Sequence, residues 1–374
     1  MNHQPEDERP LQETPLMREV RARIFARGPI SVAEYMALVL GDPQHGYYTT
    51  RDPLGVAGDF TTAPEISQMF GELVGLWLAQ AAVTQALEQA APLIELGPGR
   101  GTLMTDALRV APALDTRPLW LVETSVTLRA VQSVRLPRAR WIDRLDALPD
   151  TPMLLVANEF IDVLPLRQYL ADERGWREIQ VGLNETGDAL SFGLSGVLPL
   201  PEGEAPPAPG DWREESPAAE QAIGEIARRV ATCGGAALLM DYGYVAADRP
   251  VGPTLQAVRG HTRTDALQAP GEADLTWLPD FDTLAATART AAPVEAWVTT
   301  QGAFLTELGI GQRAAALATA RPGDATALAD GLERLVMAEE MGQRHKVLAI
   351  LPKGQPRPPG FDPATPVPRR GTGA

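Results

Sequence analysis

The sequence predicts an α/β protein with a Rossmann-like parallel sheet, an N-terminal helical cap and a β-rich insertion. From Leu93 onward, short apolar segments of strand length alternate with helical segments, which is typical of a parallel sheet covered by helices on both faces. A glycine-rich turn at residues 97–101 joins the first of these strands to a helix, as nucleotide-binding folds require. Two apolar segments after the fifth core strand suit a sheet that ends in an antiparallel strand.

Composition limits the function classes. The 374 residues are 44% hydrophobic and 22% charged, which is typical of a globular protein. The net charge of −15 argues against nucleic acid as a partner, and no apolar run approaches the roughly 18 residues of a membrane span. The single Cys233 lies in no metal-binding pattern. We expect no metal, no membrane insertion and a cytoplasmic location, and a homodimer is left open.

The N-terminal part is predicted to be helical. Residues 1–15 are polar and are expected to form a disordered tail. Residues 16–90 are predicted to form a helical cap with a cofactor-covering loop at 41–62, because apolar residues recur there at helical spacing on both sides of a glycine-rich stretch. A long helix is predicted to begin at Thr62, since a proline and an acid follow it at once.

The core is predicted over residues 91–165 and 213–352, with a β-rich insertion at 166–212 that faces the substrate. A helix at 217–232 returns the chain to the sheet, residues 244–274 are expected to be irregular, and residues 353–374 are expected to be a disordered tail. The predicted core strands are 93–96, 119–123, 140–142, 153–158, 236–241, 294–301 and 347–351. The insertion strands are 166–170, 176–182 and 189–194.

The glycine turn is a candidate cofactor site. Gly97, Gly99 and Gly101 allow the backbone to approach a ligand, and the following helix presents free amide groups to it. Glu123 ends the next strand, where a carboxylate can accept hydrogen bonds from both ribose hydroxyls. An adenosine-containing ligand is indicated, and both nicotinamide and S-adenosylmethionine enzymes use this geometry.

Glu95 favours S-adenosyl-L-methionine. It begins the pattern E-x-G-x-G-x-G and is placed to meet the amino group of a methionine moiety, whereas dinucleotide turns usually read G-x-G-x-x-G. Asp59 and Phe60 follow flexible glycines and are candidates for closing over the cofactor. An NAD-dependent oxidoreductase is the alternative interpretation of the same turn.

Polar residues at the carboxyl edge of the sheet are the catalytic candidates. Asn158, Glu159 and Asp162 follow the fourth core strand directly, where ligands bind in such folds. The alternative is that Glu159 and Asp162 only cap a following helix. Asp241, at the end of the fifth strand, and His261, in the irregular segment, are substrate-side candidates.

Long motifs give the chain a family resemblance. Residues 58–68 read GDFTTAPEISQ and residues 158–165 read NEFIDVLP, and shorter agreements occur at 241–243, 259–261, 273–276, 341–342 and 346–348. With these motifs and the glycine turn, the chain resembles the MidA-like family of class I S-adenosylmethionine-dependent methyltransferases. Its mitochondrial members modify an arginine of respiratory complex I. Residues 277–279 and His345 depart from the family pattern.

The resemblance implies a function and a partner. We expect a protein-arginine methyltransferase whose substrate is the quinone-site subunit of an NADH dehydrogenase. Carboxylates would orient the guanidinium and accept its proton late, because arginine keeps its proton with a pKa above about 12. A non-catalytic assembly factor that retains the cofactor pocket is a second alternative.

Overall fold

The computed structural model describes residues 13–50, 61–200, 203 and 205–370. The chain forms two compact units, each assembled from three segments that are distant in the sequence. Unit 1 comprises Met1–Arg51, Pro165–Ser216 and Gly252–Thr276, and unit 2 comprises Asp52–Leu164, Pro217–Val251 and Trp277–Ala374. The N-terminal helices and the insertion thus share one unit.

The secondary structure of the described residues alternates strands and helices. The strands are β1 (Ile30–Ser31), β2 (Leu93–Leu96), β3 (Leu119–Val122), β4 (Arg140–Ile142), β5 (Met153–Asn158), β6 (Arg167–Asp172), β7 (Gly175–Leu183), β8 (Leu190–Leu194), β9 (Trp212–Glu215), β10 (Gly235–Tyr242), β11 (Gln256–Arg259), β12 (Thr262–Thr264), β13 (Asp274–Thr276), β14 (Val294–Thr300) and β15 (His345–Pro352). The helices are α1 (Pro15–Arg27), α2 (Val32–Gly41), α3 (Tyr47–Thr50), α4 (Ala63–Ile66), α5 (Gln68–Thr84), α6 (Thr102–Val110), α7 (Pro112–Asp115), α8 (Val126–Arg135), α9 (Pro217–Cys233), α10 (Phe281–Ala291), α11 (Gln301–Glu307), α12 (Ile310–Ala320), α13 (Ala325–Val336) and α14 (Met341–Arg344).

Unit 2 is built on a seven-stranded sheet with the order β14-β15-β10-β5-β2-β3-β4. The five strands from β10 to β4 pair in parallel, whereas β15 pairs antiparallel with both β10 and β14. Strands β2 and β5 are buried along their whole length, which explains their nearly unbroken apolar sequences. The predicted Rossmann-like sheet with an antiparallel last strand is confirmed.

The helix predicted to begin at Thr62 is in fact two helices. Ser67 has an extended backbone (φ −157°, ψ 137°) and separates α4 from α5, and its hydroxyl accepts a hydrogen bond from the amide of Met69 at 3.3 Å. α5 then packs closely on α6, because a Cβ on Gly75 would lie only 2.6 Å from the Cα of Ala107. This contact holds α6, and with it the glycine turn, against the core.

Unit 1 contains α1–α3 and two antiparallel sheets. The larger has the order β1-β7-β6-β9, and β8 pairs with β7, so the three strands predicted in the insertion are present. The smaller has the order β12-β11-β13. The expectation that residues 244–274 are irregular is therefore wrong. Gly260 and His261 both have positive φ, 56° and 60°, and form the two-residue turn between β11 and β12.

Two further expectations, for residues 41–62 and for residues 1–15, are wrong in part. The loop predicted at 41–62 contains α3, and its residues 51–60 lie outside the described part of the chain. In the predicted tail 1–15, Thr14 already caps α1, accepting a hydrogen bond from the amide of Met17 at 3.0 Å, while residues 1–12 are outside the described part.

Residues 353–370 are not a disordered tail. Phe361 is buried, with its ring centroid 5.7 Å from that of Phe304, and the indole nitrogen of Trp77 donates to the carbonyl of Pro359 at 3.0 Å. Arg370 pairs with Glu333 at 2.6 Å. A few anchoring side chains thus order a segment whose proline content suggests disorder, because they bury apolar area that composition alone does not reveal.

Candidate functional site

The turn between β2 and α6 holds three glycines in left-handed backbone conformations. Gly97, Gly99 and Gly101 have φ of 56°, 52° and 77°, which side chains disfavour. A Cβ on Gly97 would lie 3.1 Å from Cδ2 of Phe160, so a side chain would also crowd the turn. Gly101 is the N-cap of α6 and makes no side-chain cap. The first amides of α6 therefore keep hydrogen-bonding capacity for a ligand.

Glu95 is a buried carboxyl beside this turn. Its side chain is 2% exposed, and Oε2 has no hydrogen-bond partner among the described residues. Burial raises the pKa of Glu95 to about 8. A ligand ammonium group would supply the charge that this carboxylate lacks.

Glu123 directly follows β3 and is held on both oxygens. Oε1 accepts from the amide of Ser125 at 2.8 Å, and Oε2 accepts from Nε2 of Gln132 at 3.1 Å. Burial raises the pKa of Glu123, and these hydrogen bonds oppose the rise. A carboxylate offers about four lone-pair sites, so Glu123 can still accept a hydrogen bond from a hydroxyl donor.

The turn after β5 contains a strained glutamate. Glu159 has φ of 50°, which is uncommon for a residue other than glycine. Its amide donates to the carbonyl of Met240 at 2.8 Å, and its Oε1 accepts from Nδ2 of Asn158 at 3.1 Å and from the amide of Ala63 at 3.2 Å. Burial raises the pKa of Glu159. The element that follows this turn is β6, so Glu159 and Asp162 do not cap a helix.

Asp241 shapes that turn from the neighbouring strand. The side chain is fully buried, and Oδ2 accepts from the amides of Phe160, Ile161 and Asp162 at 3.1, 2.8 and 3.1 Å. Burial and the nearby charge of Glu159 raise the pKa of Asp241 to about 8. This residue was predicted on the substrate side, but its contacts are those of a support for the 158–162 turn.

The carboxyl edge of β2, β5 and β10 is rich in hydrogen-bond acceptors. Three buried oxygens there have no partner among the described residues, namely Oε2 of Glu95, Oδ1 of Asn158 and Oδ1 of Asp241. Within the same described ranges, no ion pair involves Glu95, Glu159 or Asp241. The exposed Arg334 lowers the pKa of Glu159 only against a larger effect of burial. This edge is suited to cationic ligands.

Two aromatic residues adjoin the acidic cluster. The ring of Tyr242 lies 3.9 Å, centroid to centroid, from that of His345. Burial and the charges of Glu159 and Asp162 raise the pKa of Tyr242, so its phenol stays protonated. Burial lowers the pKa of His345 to about 3, so its ring is neutral. Tyr242 lies in the motif at 241–243, whereas His345 was noted only as a departure from the family pattern.

Glu65 is a contact of the glycine turn that sequence reasoning missed. The hydroxyl of Thr102 donates to Oε1 of Glu65, and Oε2 lies 4.0 Å from a guanidinium nitrogen of Arg100. In the same short helix, Ala63 contacts Glu159. α4 therefore links the turn to the candidate catalytic residue. Glu65 was interpreted as a helix-start signal and counted in the 58–68 motif, but it was not predicted as a site residue.

Three predicted site residues remain. Asp59 and Phe60 lie outside the described residues. His261 belongs to unit 1, where it occupies an exposed hairpin turn. In the described part of the chain, no group of three or more His, Cys, Asp or Glu side chains could hold a metal ion. No helix in that part is long and apolar enough to cross a membrane.

Sequence comparison finds relatives over most of the chain. A family model for S-adenosyl-L-methionine-dependent methyltransferases matches residues 73–299. The mouse protein named "Protein arginine methyltransferase NDUFAF7, mitochondrial" is 36% identical over 91% of this chain and 85% of its own length. The human protein of the same name is 34% identical over 91% of this chain and 84% of its own length.

Solved structures with the same fold come from Burkholderia thailandensis. One was crystallised with bound S-adenosyl-homocysteine and matches with a TM-score of 0.77 and 26% identity, over 94% of this chain and 93% of that one. A second, native crystal structure matches with a TM-score of 0.76 and 27% identity over the same shares.

Proposed function

This chain belongs to a family of S-adenosyl-L-methionine-dependent methyltransferases, and from that premise we propose that it methylates an arginine side chain of a protein. The family resemblance and the choice of S-adenosyl-L-methionine over a nicotinamide cofactor are confirmed. The residues after β5 carry the proposal for arginine. Oδ1 of Asn158 has no partner among the described residues, and beside it lies the buried carboxyl of Glu159. Such oxygens favour a cation with several N–H donors.

The residues of unit 2 fit the cofactor. We assign the ammonium group of its methionine moiety to Glu95, whose buried Oε2 has no partner among the described residues. The glycines at 97, 99 and 101 form the turn that receives the methionine side, and Glu123 accepts from the ribose hydroxyls. We keep Asp59 and Phe60 as proposed covering residues. When bound, the cofactor supplies a methyl group on a positively charged sulfur.

Glu159, Asp162 and Asn158 are the proposed catalytic residues. The carboxylates of Glu159 and Asp162 orient a guanidinium at the carboxyl edge of the sheet, and the amide of Asn158 fixes Glu159 through the hydrogen bond at 3.1 Å. The raised pKa of Glu159 suits it to take the guanidinium proton as the nitrogen is alkylated. Asp241 supports the turn rather than contacting the acceptor, and His261 stays a proposed substrate-side residue of unit 1.

The names of the relatives support a protein substrate. For the partner we propose the quinone-site subunit of an NADH-quinone oxidoreductase, in agreement with the MidA-like resemblance, and for the location the bacterial cytoplasm. A homodimer is part of the same proposal. These finer assignments depend on the family and not on a contact within this chain.

Transfer of a labelled methyl group tests the proposal. The protein is incubated with radiolabelled S-adenosylmethionine and the purified partner subunit, and the modified residue is identified by mass spectrometry. Glu159→Gln should lower the transfer rate by about a hundredfold or more, while the Kd for S-adenosyl-homocysteine changes little. Glu88→Gln, on an exposed position of unit 2, is the matched control. Label on a residue other than arginine, or full transfer by Glu159→Gln, would refute these assignments.

A further inference from the structure

Gln132 is a buried amide on α8 that no sequence motif marks. Its side chain is 0% exposed and makes three hydrogen bonds. Nε2 donates to the carbonyl of Gly99 at 2.7 Å and to Oε2 of Glu123 at 3.1 Å, and Oε1 accepts from Nε1 of Trp141 at 2.7 Å. The amide therefore joins residues that follow β2 and β3 to one on β4.

The orientation of this amide follows from its partners. An indole nitrogen only donates, so Oε1 of Gln132 must face Trp141. The two hydrogens of Nε2 then face Gly99 and Glu123, which are both acceptors at those atoms. In the flipped orientation two donors would meet at Trp141, and oxygen would meet oxygen at the other two contacts.

Gln132 touches both halves of the proposed cofactor site. Besides its bonds to Gly99 and Glu123, its Cγ lies 3.8 Å from the position that a Cβ on Gly101 would occupy. One oxygen of Glu123 is already fixed by the amide of Ser125 at 2.8 Å. Gln132 fixes the other, so the plane of the carboxylate and its remaining lone pairs are set relative to the glycine turn.

We propose that Gln132 is a positioning residue that sets the affinity for adenosine-containing ligands by holding Glu123 in register with the glycine turn. The proposal rests on the proposed cofactor roles of Glu123 and the turn. Gln132 itself does not contact the reacting atoms, so its loss should affect binding of the nucleoside more than the rate of methyl transfer from bound cofactor.

Two substitutions separate positioning from space filling. Gln132→Met keeps the size of the side chain but removes all three hydrogen bonds. Gln132→Glu keeps an acceptor for Trp141 and turns the other end into a carboxyl that faces two acceptors, Gly99 and Glu123. That contact is repulsive unless a proton is shared, so the effect of this second substitution should depend on pH.

The experiment measures the Kd of S-adenosyl-homocysteine by calorimetry in the full chain. We expect Gln132→Met to weaken binding by about tenfold to a hundredfold, and Gln80→Met, the same change on the exposed face of α5, to have no effect. For Gln132→Glu, the ratio of its Kd to that of the unmodified protein should fall by about threefold or more between pH 8.5 and pH 6.

A spectroscopic readout checks the contact without ligand. The Nε1–H resonance of Trp141, assigned with Trp141→Phe, should move in Gln132→Met and stay nearly fixed in Gln132→Glu, which keeps the acceptor. Unchanged binding in Gln132→Met, or a pH-independent ratio for a folded Gln132→Glu, would overturn the proposal. Glu123→Gln then distinguishes a failure of the proposed cofactor site from a failure of the role proposed for Gln132. If it also binds normally, the proposed cofactor site fails, and if it binds weakly, only the role of Gln132 fails.

Discussion

Binding of the cofactor product should release a proton from Glu95. This carboxyl is buried, its Oε2 has no partner in the described part of the chain, and burial raises its pKa to about 8. A ligand ammonium beside it favours the ionised form and lowers the pKa again. The pH is therefore varied for the unmodified protein and for Glu95→Gln. This variant keeps the shape of the side chain but cannot ionise.

The size of the effect follows from the pKa. A carboxyl with a pKa of about 8 is about 1% ionised at pH 6 and about half ionised at pH 8. If only the ionised form binds the ammonium well, affinity rises about tenfold per pH unit at the acid end, about 1.4 kcal/mol per unit. The total gain from pH 6 to pH 8 is about fiftyfold.

Calorimetric titration with S-adenosyl-homocysteine measures both the affinity and the number of protons released. The Kd is followed from pH 6 to pH 8.5, and titrations at pH 7 in buffers of different ionisation enthalpy count the protons released. The unmodified protein should release about one proton, and Glu95→Gln should release none and show a flatter pH dependence. An affinity that does not change with pH, or equal proton release by both proteins, would refute this reasoning.

Three further predictions concern stability and rate. Gly235→Ala should prevent folding, because its Cβ would lie 2.0 Å from the carbonyl oxygen of Met153. Gly234→Ala should cost about 1–2 kcal/mol by thermal unfolding, because no described atom beyond its chain neighbours lies within 4 Å of its Cβ and the cost comes from its positive φ of 92°. Glu72→Gln should lower the free energy of unfolding by about 2 kcal/mol at pH 7, since two arginines lower the pKa of Glu72 although burial raises it. That difference should disappear as the pH falls below the lowered pKa, and urea titrations at several pH values check it. Asp241→Asn should slow methyl transfer by about tenfold or more while the Kd for S-adenosyl-homocysteine stays within about twofold, and equal losses in both would refute a positioning role.

The central strands of the sheet could be predicted from sequence because they are buried on both faces. β2 and β5 begin and end at the predicted residues and are buried along their whole length. In these two strands the local pattern and the tertiary environment agree, since a buried strand needs an almost continuous apolar run. β4 also has the predicted bounds, although its residues are exposed or half-buried. The acids at or after the carboxyl ends of β2, β3, β5 and β10 were also predictable, because parallel strands bring their carboxyl ends to one edge.

Elements that depend on distant contacts could not be predicted in this way. Residues 353–370 are ordered by Phe361 and a few polar anchors, and β13 forms through its pairing with β11. α10 was also missed, although Asp280 accepts hydrogen bonds from two amides of its first turn, a capping signal that the sequence does contain.

At the site, too, some features could be predicted from the local sequence and others depend on tertiary contacts. Asn158, Glu159 and Glu95 could be selected by their position. The protonation of the two acids could not be predicted, because burial raises the pKa of each, and at Glu159 this effect outweighs that of Arg334. Gln132 could not be selected at all. A glutamine in the middle of an amphipathic helix carries no signal until Gly99 and Glu123 are found beside it.

Buried acids with raised pKa values make the stability of the protein depend on pH and on whether a ligand occupies the site. A carboxyl whose pKa is raised by folding binds more protons in the native state, so stability falls as the pH rises from about 4.5, the usual value, to about 8 for Glu95. The raised pKa of Asp241 lowers the stability of the folded protein over a similar pH range. A ligand that supplies the missing positive charge removes the penalty at Glu95. Stabilisation by S-adenosyl-homocysteine should therefore be larger at pH 8 than at pH 6, and Glu95→Gln, which is stabilised without ligand at the higher pH, should lose most of that difference.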